Sequence, residues 1–177
     1  MADKCIYLQR IDTSLIYPPF LAIVEPALIH LADTKKNPMY ALGDGGYRDE
    51  AAQTGLFNRG RKTPGKIVTN ARWLQSAHNY GIALDLCADA DATKAGLQPD
   101  WRDPPYKVMA TEMTLRGIEA AYFWKNFREG PHVQLPLDEK GINLWDPHEH
   151  PGAPCLRDIY LKGGIKAVWA ALDKYVW

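Results

Sequence analysis

The stretch QSAHNYGIALD, residues 75–85, joins a predicted turn to a predicted strand and carries two side chains that can bind a metal. Gly81 permits the chain to turn just after His78. The residues that follow alternate in character, so one face of the strand is apolar and the other carries Asp85. We therefore expect Asp85 to project from a rigid strand toward the histidine on the preceding turn.

The segment REGPHVQ, residues 128–134, supplies a third candidate metal ligand and a candidate general base. Pro131 favours an extended backbone before it, and His132 then begins a short predicted strand. His78, Asp85 and His132 together form the three-ligand set with nitrogen and oxygen donors that a catalytic zinc site uses. Glu129 lies three residues before His132, where its carboxylate can take a proton from an attacking water and pass it to a departing amine. A lone histidine is usually structural, so the argument depends on the conjunction.

The remaining elements indicate an α+β fold, because short strands and helices follow one another without regular alternation. Hydrophobic periodicity and glycine or proline boundaries define the elements. The predicted helices cover residues 19–36, 49–58, 104–125 and 158–175, and the predicted strands cover residues 5–11, 39–42, 66–69, 83–88 and 132–135.

Composition excludes several classes of protein. The chain has 177 residues, with 21 basic and 21 acidic side chains, so its formal net charge is zero and a nucleic-acid partner is not expected. No apolar run approaches the roughly 18 residues of a membrane span, so membrane insertion is not expected. The N-terminus lacks the features of a secretory signal, which predicts synthesis in the cytoplasm. The three cysteines are expected to be reduced thiols without disulfides.

The two motifs resemble those of a known enzyme family. Residues 76–85 match the pattern S-x-H-x-x-G-x-A-x-D of the zinc D,D- and L,D-peptidases of peptidoglycan, and residues 129–132 match the second motif, in which an acidic residue precedes a histidine ligand. Gly46-Tyr47-Arg48 followed by Gln53 resembles a further segment of the family. The family includes the VanX- and VanY-like D-Ala-D-Ala peptidases and the phage L-alanyl-D-glutamate endolysins, and it shares its fold with the Hedgehog signalling domain. The likeness covers roughly residues 40–135.

The resemblance implies a small antiparallel sheet with flanking helices and a Zn²⁺ cofactor held by the three ligands. It implies that Arg48 stabilises the oxyanion that develops on the substrate carbonyl, where a fixed cation is favourable. Ser76 and Gln53 become candidate substrate-binding residues, although Ser76 could equally be a simple turn hydroxyl. In place of the W-G-G-D-W of phage members, residues 121–125 read AYFWK, so this part of the cleft wall is expected to differ.

Residues 1–137 are accordingly predicted to form the zinc peptidase domain. Residues 138–177 are predicted to be a C-terminal extension with a packed terminal helix, and not an independent domain. Within the extension, DPHEHP at residues 146–151 is rich in metal-binding side chains, but it more often indicates an exposed loop.

Three functions remain open at this point. The first is a phage or prophage endolysin that hydrolyses the L-alanyl–D-glutamate bond of the stem peptide, held in the host bacterial cytoplasm until it reaches the cell wall during lysis. The second is a D-Ala-D-Ala carboxypeptidase or dipeptidase with the same metal site. The third is a non-catalytic, zinc-containing binding module, which the presence of Glu129 and Arg48 disfavours. The expected partner is the peptidoglycan stem peptide, and a monomer is expected.

Overall fold

The computed structural model describes residues 5–91 and 93–177, and its centre is a small antiparallel sheet. The strands are β1 (Met39–Ala41), β2 (Ala83–Asp89), β3 (Pro99–Asp100), β4 (Glu119–Ala120) and β5 (His132–Gln134). Their order is β1-β2-β5-β4, and β3 pairs with the far end of β2. The helices are α1 (Pro18–Asp33), α2 (Glu50–Asn58), α3 (Asp103–Leu115) and α4 (Leu156–Leu172). The predicted α+β class is confirmed.

Strand β2 is the central strand of the sheet and pairs with β1, β3 and β5. Its two ends pair with different partners, β1 and β3 at the C-terminal end and β5 at the N-terminal end. The strand is buried on both faces except at Asp85 and its last residue, Asp89. Its register with β5 sets Asp85 directly opposite His132. Residues that are opposite one another in an antiparallel pair have neighbouring side chains, so the sheet brings the two motifs together.

Helix α1 supplies one wall of the core. It begins at Pro18, because proline suits the first turn of a helix, where its missing N–H would have no partner. It continues past Pro26 to Asp33. Its buried face consists of apolar side chains at helical spacing: Phe20, Val24, Ala27, Leu28 and Leu31.

Helix α3 ends ten residues earlier than the sequence predicts. Gly117 adopts a φ of +78°, which favours glycine, and Ile118 N donates to the Met113 carbonyl at 3.0 Å. This left-handed ending satisfies the last carbonyls of the helix and turns the chain away. Residues 119–123 then form β4 and a short 3₁₀ turn, Ala121–Phe123, where a continuous helix was predicted.

Two predicted strands are wrong. Residues 5–11 contain the 3₁₀ turn Ile6–Leu8, and residues 66–69 have no regular structure. In the second segment Ile67 and Val68 are 55% and 41% exposed. A strand forms only where a neighbour completes its hydrogen bonds, and no partner strand lies beside this segment in the part of the chain that the structure describes.

The C-terminal segment packs on the rest of the chain. In α4, Trp169 is buried and its indole N–H donates to the Tyr80 carbonyl at 2.8 Å. Just after the helix, Asp173 accepts a hydrogen bond from the Tyr17 hydroxyl at 2.7 Å. The contact of Trp169 with Tyr80 reaches the turn that carries His78. The boundary at residue 137 between a peptidase domain and an extension stays a prediction.

All three cysteines are free thiols, as expected. Within residues 5–91 and 93–177, no helix has both the length and the apolar character needed to cross a bilayer.

An ion pair beside β3 predicts acid sensitivity. Asp100 is buried and accepts hydrogen bonds from the Arg102 side chain at 2.6–2.9 Å, which lower the pKa of the carboxyl to about 2 from 3.8. Because the pKa is depressed in the folded state, the stabilisation is fully present above pH 3.8 and is lost as the pH falls toward 2. We expect Asp100→Asn to be less stable than wild type near neutrality, with the difference vanishing near pH 2 in thermal unfolding. The variant Arg102→Gln should show the same trend, and a difference that does not depend on pH would contradict this account.

Candidate metal centre

Three donor atoms converge where the 3₁₀ turn Ala77–Tyr80 meets strands β2 and β5. The distance from His78 Nε2 to His132 Nδ1 is 3.2 Å, from His132 Nδ1 to Asp85 Oδ1 is 3.1 Å, and from His78 Nε2 to Asp85 Oδ1 is 3.3 Å. Both histidines are buried and Asp85 is partly buried. Within the described part of the chain, this is the only group of three or more potential ligand side chains so placed.

These spacings suit a tetrahedral zinc ion. Ligand atoms about 2.0–2.2 Å from such an ion lie roughly 3.3–3.6 Å apart, so the observed triangle needs only a slight expansion. Two imidazoles and a carboxylate leave the fourth position open, which is the arrangement of catalytic sites. The residues present therefore fit a zinc ion.

The orientation of each histidine places a lone pair in this triangle. His78 Nδ1 is 2.8 Å from the Gly46 carbonyl, which can only accept, so Nδ1 carries the proton and Nε2 is unprotonated in the neutral ring. His132 Nε2 is 3.0 Å from Gln134 Oε1, which likewise leaves Nδ1 unprotonated in the neutral ring. Two nitrogen lone pairs and a carboxylate oxygen then face one another. Three acceptors in contact are stable only with a cation between them, either a proton or a metal ion.

The electrostatic interactions within the cluster also favour a bound cation. Burial raises the pKa of the Asp85 carboxyl, but both histidines outweigh burial and hold it well below its usual range. Burial lowers the pKa of His132, but its hydrogen bond and charge interaction with Asp85 outweigh burial and raise it. For His78, burial is the larger effect and its pKa is lowered. Asp85 is therefore an anion in the folded protein, as a metal ligand must be.

Hydrogen bonds within two loops hold His78 in place. Asn79 Oδ1 accepts from Ser76 N at 3.2 Å, and Asn79 Nδ2 donates to the Arg48 carbonyl at 2.9 Å. Arg48 N in turn donates to the His78 carbonyl at 3.1 Å. Gly81 closes the turn with a φ of +68°. The loop of residues 43–48 and the turn of residues 76–81 thus support each other, and sequence reasoning gave Asn79 no such role.

Arg48 lies at the edge of the candidate metal centre. Its guanidinium contacts Asp85 Oδ2, while Nε donates to the Asp44 carbonyl at 2.9 Å. The side chain is 11% exposed and borders an open groove of about 450 Å³ between residues 43–48 and α2. The predicted arginine is therefore beside the site, and it binds the carboxylate oxygen that does not face the histidines.

Glu129 is half-buried in the segment before β5. Burial raises its pKa, and the charge of Asp85 raises it further, while His132 and Arg48 lower it. Its carboxyl therefore interacts electrostatically with residues of the candidate metal centre. Its backbone N–H donates to the Ala121 carbonyl at 3.2 Å, which ties it to the turn after β4.

The two predicted substrate-binding residues differ in accessibility. Ser76 is half-buried at the N-terminal cap of the turn Ala77–Tyr80. Gln53 is fully buried in α2, and its Nε2 donates to the Ala71 carbonyl at 2.7 Å. Its Oε1 has no hydrogen-bond partner among the residues that the structure describes. Their roles in substrate binding stay predictions.

The DPHEHP stretch at residues 146–151 is not part of this cluster. His150 Nε2 is 2.8 Å from Asp138 Oδ1, and the backbone of His148 donates to Asp146. Neither histidine belongs to a group of three ligands among the residues that the structure describes.

The chain is similar to known endopeptidases. No family model matches the chain. The peptidoglycan L-alanyl-D-glutamate endopeptidase CwlK of Bacillus subtilis (strain 168) is 33% identical over 101 residues, covering 51% of this chain. The L-Ala D-Glu endopeptidase ChiX of Serratia marcescens superposes with a TM-score of 0.50 at 22% identity, covering 72% of this chain and 86% of that one. The similarity to CwlK confirms the resemblance to the peptidoglycan zinc peptidase family, and the superposition with ChiX shows that the fold is shared.

The expected fold of this peptidase family, a small antiparallel sheet with flanking helices, is likewise confirmed. The chain spans 57% of the length of CwlK.

Proposed function

We propose that the chain is a zinc-dependent peptidoglycan peptidase that hydrolyses the L-alanyl–D-glutamate bond of the stem peptide. The observation that carries the proposal is the triangle of His78, Asp85 and His132, whose donor atoms lie 3.1–3.3 Å apart with their lone pairs turned inward. The choice of bond is supported by CwlK and ChiX, which are both named as endopeptidases for it.

His78, Asp85 and His132 would hold the zinc ion. When bound, zinc supplies a Lewis acid that polarises the scissile carbonyl and makes water nucleophilic near neutral pH. The anionic Asp85 balances part of the charge of the ion. Arg48 keeps that carboxylate in place through Oδ2, so that Oδ1 faces the histidines.

Glu129 is the proposed proton carrier. Its carboxylate takes a proton from the attacking water and delivers it to the departing D-glutamate nitrogen. A carboxyl whose pKa is raised by burial is a better base than an exposed one. It can still give the proton to the departing nitrogen, which becomes a much stronger base as the C–N bond breaks.

Arg48 is the proposed partner of the developing oxyanion. A guanidinium has five N–H groups in a rigid fork, so a side chain that binds Asp85 and Asp44 can still direct a donor toward the substrate. Its position beside an open groove supports this role, because a peptide in the groove would pass the guanidinium.

Digestion of purified peptidoglycan tests the proposed bond. We expect new carboxyl-terminal L-alanine and new amino-terminal D-glutamate in equal amounts, identified by end-group labelling and mass spectrometry. Treatment with a chelator should abolish release, and added zinc should restore it. Release of D-alanine without new L-alanine ends would contradict the endopeptidase and support a D-Ala-D-Ala carboxypeptidase. Hydrolysis that survives removal of the metal would contradict zinc dependence.

We also propose that the protein acts as a phage or prophage endolysin, stored in the host bacterial cytoplasm until the membrane opens. The similarity of HNYG at residues 78–81 and PHVQ at residues 131–134 to phage motifs supports this role. Cells that express the chain should remain intact until a membrane-permeabilising agent is added and should then lyse. Cells that lyse without such an agent would contradict cytoplasmic storage.

A further inference from the structure

A string of directed hydrogen bonds leads from the turn after β4 to the metal centre. The indole N–H of Trp124 donates to Glu119 Oε1 at 2.6 Å. Gln134 Nε2 donates to Glu119 Oε2 at 3.0 Å, and Gln134 Oε1 lies 3.0 Å from His132 Nε2. Trp124, Glu119 and Gln134 are each half-buried, and none of them is one of the three candidate metal ligands.

The sheet builds this string. Glu119 of β4 is directly opposite Gln134 of β5, so their side chains are neighbours on one face. His132 and Gln134 are two residues apart in the same strand, which places them on that face as well. The ring of Trp124 also packs beside the ring of His132, with centroids 5.6 Å apart.

The hydrogen bonds in this string have a fixed donor-to-acceptor order, because the side chains differ in which of their atoms can donate. The Trp124 indole can only donate, and Glu119 accepts through both carboxylate oxygens. Gln134 must then turn its NH₂ toward Glu119 and its carbonyl oxygen toward His132. That oxygen can only accept, so His132 carries a proton on Nε2, and in the neutral ring Nδ1 presents a lone pair to the triangle with Asp85 and His78.

We propose that Gln134, oriented by Glu119 and Trp124, is a positioning residue that selects Nδ1 of His132 as the metal-binding nitrogen. The inference rests on the proposed zinc site, but it concerns the side chains that orient its ligand. Outer partners of this kind fix the tautomer and the ring orientation of a ligating histidine, and their loss costs about 10–100-fold in metal affinity.

The test compares Gln134→Met with wild type. Methionine has a similar length but only a weak acceptor, so the string is broken while the strand is kept. We expect zinc affinity, measured by competition with a chromophoric chelator, to fall about 10–100-fold. In the metal-free protein, ¹⁵N spectra of neutral His132 should show the Nε2–H form in wild type and a mixture in the variant. The matched control is Gln98→Met, in the connection between β2 and β3, which should leave both readouts unchanged.

A second variant separates positioning from simple support of the fold. Exchanging the two side chains, as Glu119→Gln with Gln134→Glu, preserves every donor and acceptor, because Trp124 can donate to the new amide oxygen and the new carboxylate can accept from His132. We expect this double variant to recover zinc affinity to within a few-fold of wild type. Gln134→Glu alone leaves two carboxylates facing each other and should not recover it.

The outcomes distinguish the two proposals. Wild-type protein that fails to bind zinc would overturn the proposed function. Wild type that binds zinc, together with a folded Gln134→Met of equal affinity and unchanged tautomer, would overturn only the role of Gln134. If Gln134→Met does not fold, failure of the exchanged double variant to bind zinc while folded would overturn it as well.

Discussion

Glutamine in place of Glu129 is expected to slow hydrolysis of the stem peptide by about 10²–10⁴-fold while leaving zinc bound. The substitution keeps the size of the side chain and its hydrogen-bonding oxygen, but an amide cannot take up or release a proton at this step. Zinc binding should survive because Glu129 is not one of the three converging donors. The measurement is the initial rate of appearance of new L-alanine ends, together with the zinc content of the purified variant.

The matched control for this change is Glu139→Gln, which makes the same replacement at an exposed position of the C-terminal segment. It should retain the wild-type rate. If Glu129→Gln released ends at the wild-type rate with its zinc in place, the proton would have to travel by another group. If it lost zinc, Glu129 would be part of the ligand set, which the geometry of the triangle does not suggest.

The convergence of His78, Asp85 and His132 was predictable from the sequence because each of its parts is local. The turn at Gly81 and the alternation after it place Asp85 on a strand near His78, and the short segment before His132 does the same for β5. Only the pairing of β2 with β5 could not be predicted from a local sequence pattern. Since the two strands are buried along their apolar positions, few other registers would bury them equally well.

The surroundings of the site were less predictable because they depend on contacts between distant segments. Helix α3 was predicted to continue to residue 125, so β4 was not predicted. The left-handed Gly117 ends the helix instead, and the two residues of β4 then place Glu119 opposite Gln134. No pattern within residues 117–125 reveals this pairing, so the string of hydrogen bonds to His132 became visible only in three dimensions.

Arg48 illustrates the same limit. The sequence associates it with the substrate carbonyl, but its contact with Asp85 requires the loop of residues 43–48 to lie along β2. Two backbone hydrogen bonds hold the loop there: Leu42 N to the Asp85 carbonyl at 3.0 Å, and Asp85 N to the Gly45 carbonyl at 2.8 Å. The space between them admits only glycine, since a Cβ on Gly45 would lie 2.6 Å from the Asp85 carbonyl oxygen.

Alanine at position 81 is expected to destabilise the protein more than any other small change near the site. A Cβ on Gly81 would lie 2.2 Å from the carbonyl oxygen of Leu15, which is backbone and cannot rotate away. The left-handed φ of +68° adds roughly 1–2 kcal/mol for any residue with a Cβ. Overpacking of a tight contact costs a further ~1–3 kcal/mol, against a total stability on the order of 5–15 kcal/mol. Urea unfolding should therefore show a loss of about 2–5 kcal/mol for Gly81→Ala.

The control for this substitution separates the cost of the left-handed backbone conformation from the cost of the steric clash. Gly117 has a similar φ of +78°, but a Cβ there would meet no atom of the described residues within 4 Å. Gly117→Ala should therefore lose only the conformational part. The excess loss at position 81 then measures the clash with Leu15. Because the Gly81 N–H donates to the His78 carbonyl and its own carbonyl accepts from Tyr17, relief of the clash must move the turn that holds His78. Gly81→Ala should thus weaken zinc binding even where it remains folded. Equal losses of stability at the two glycines, with unchanged zinc affinity, would show that the contact with Leu15 does not position the metal ligand.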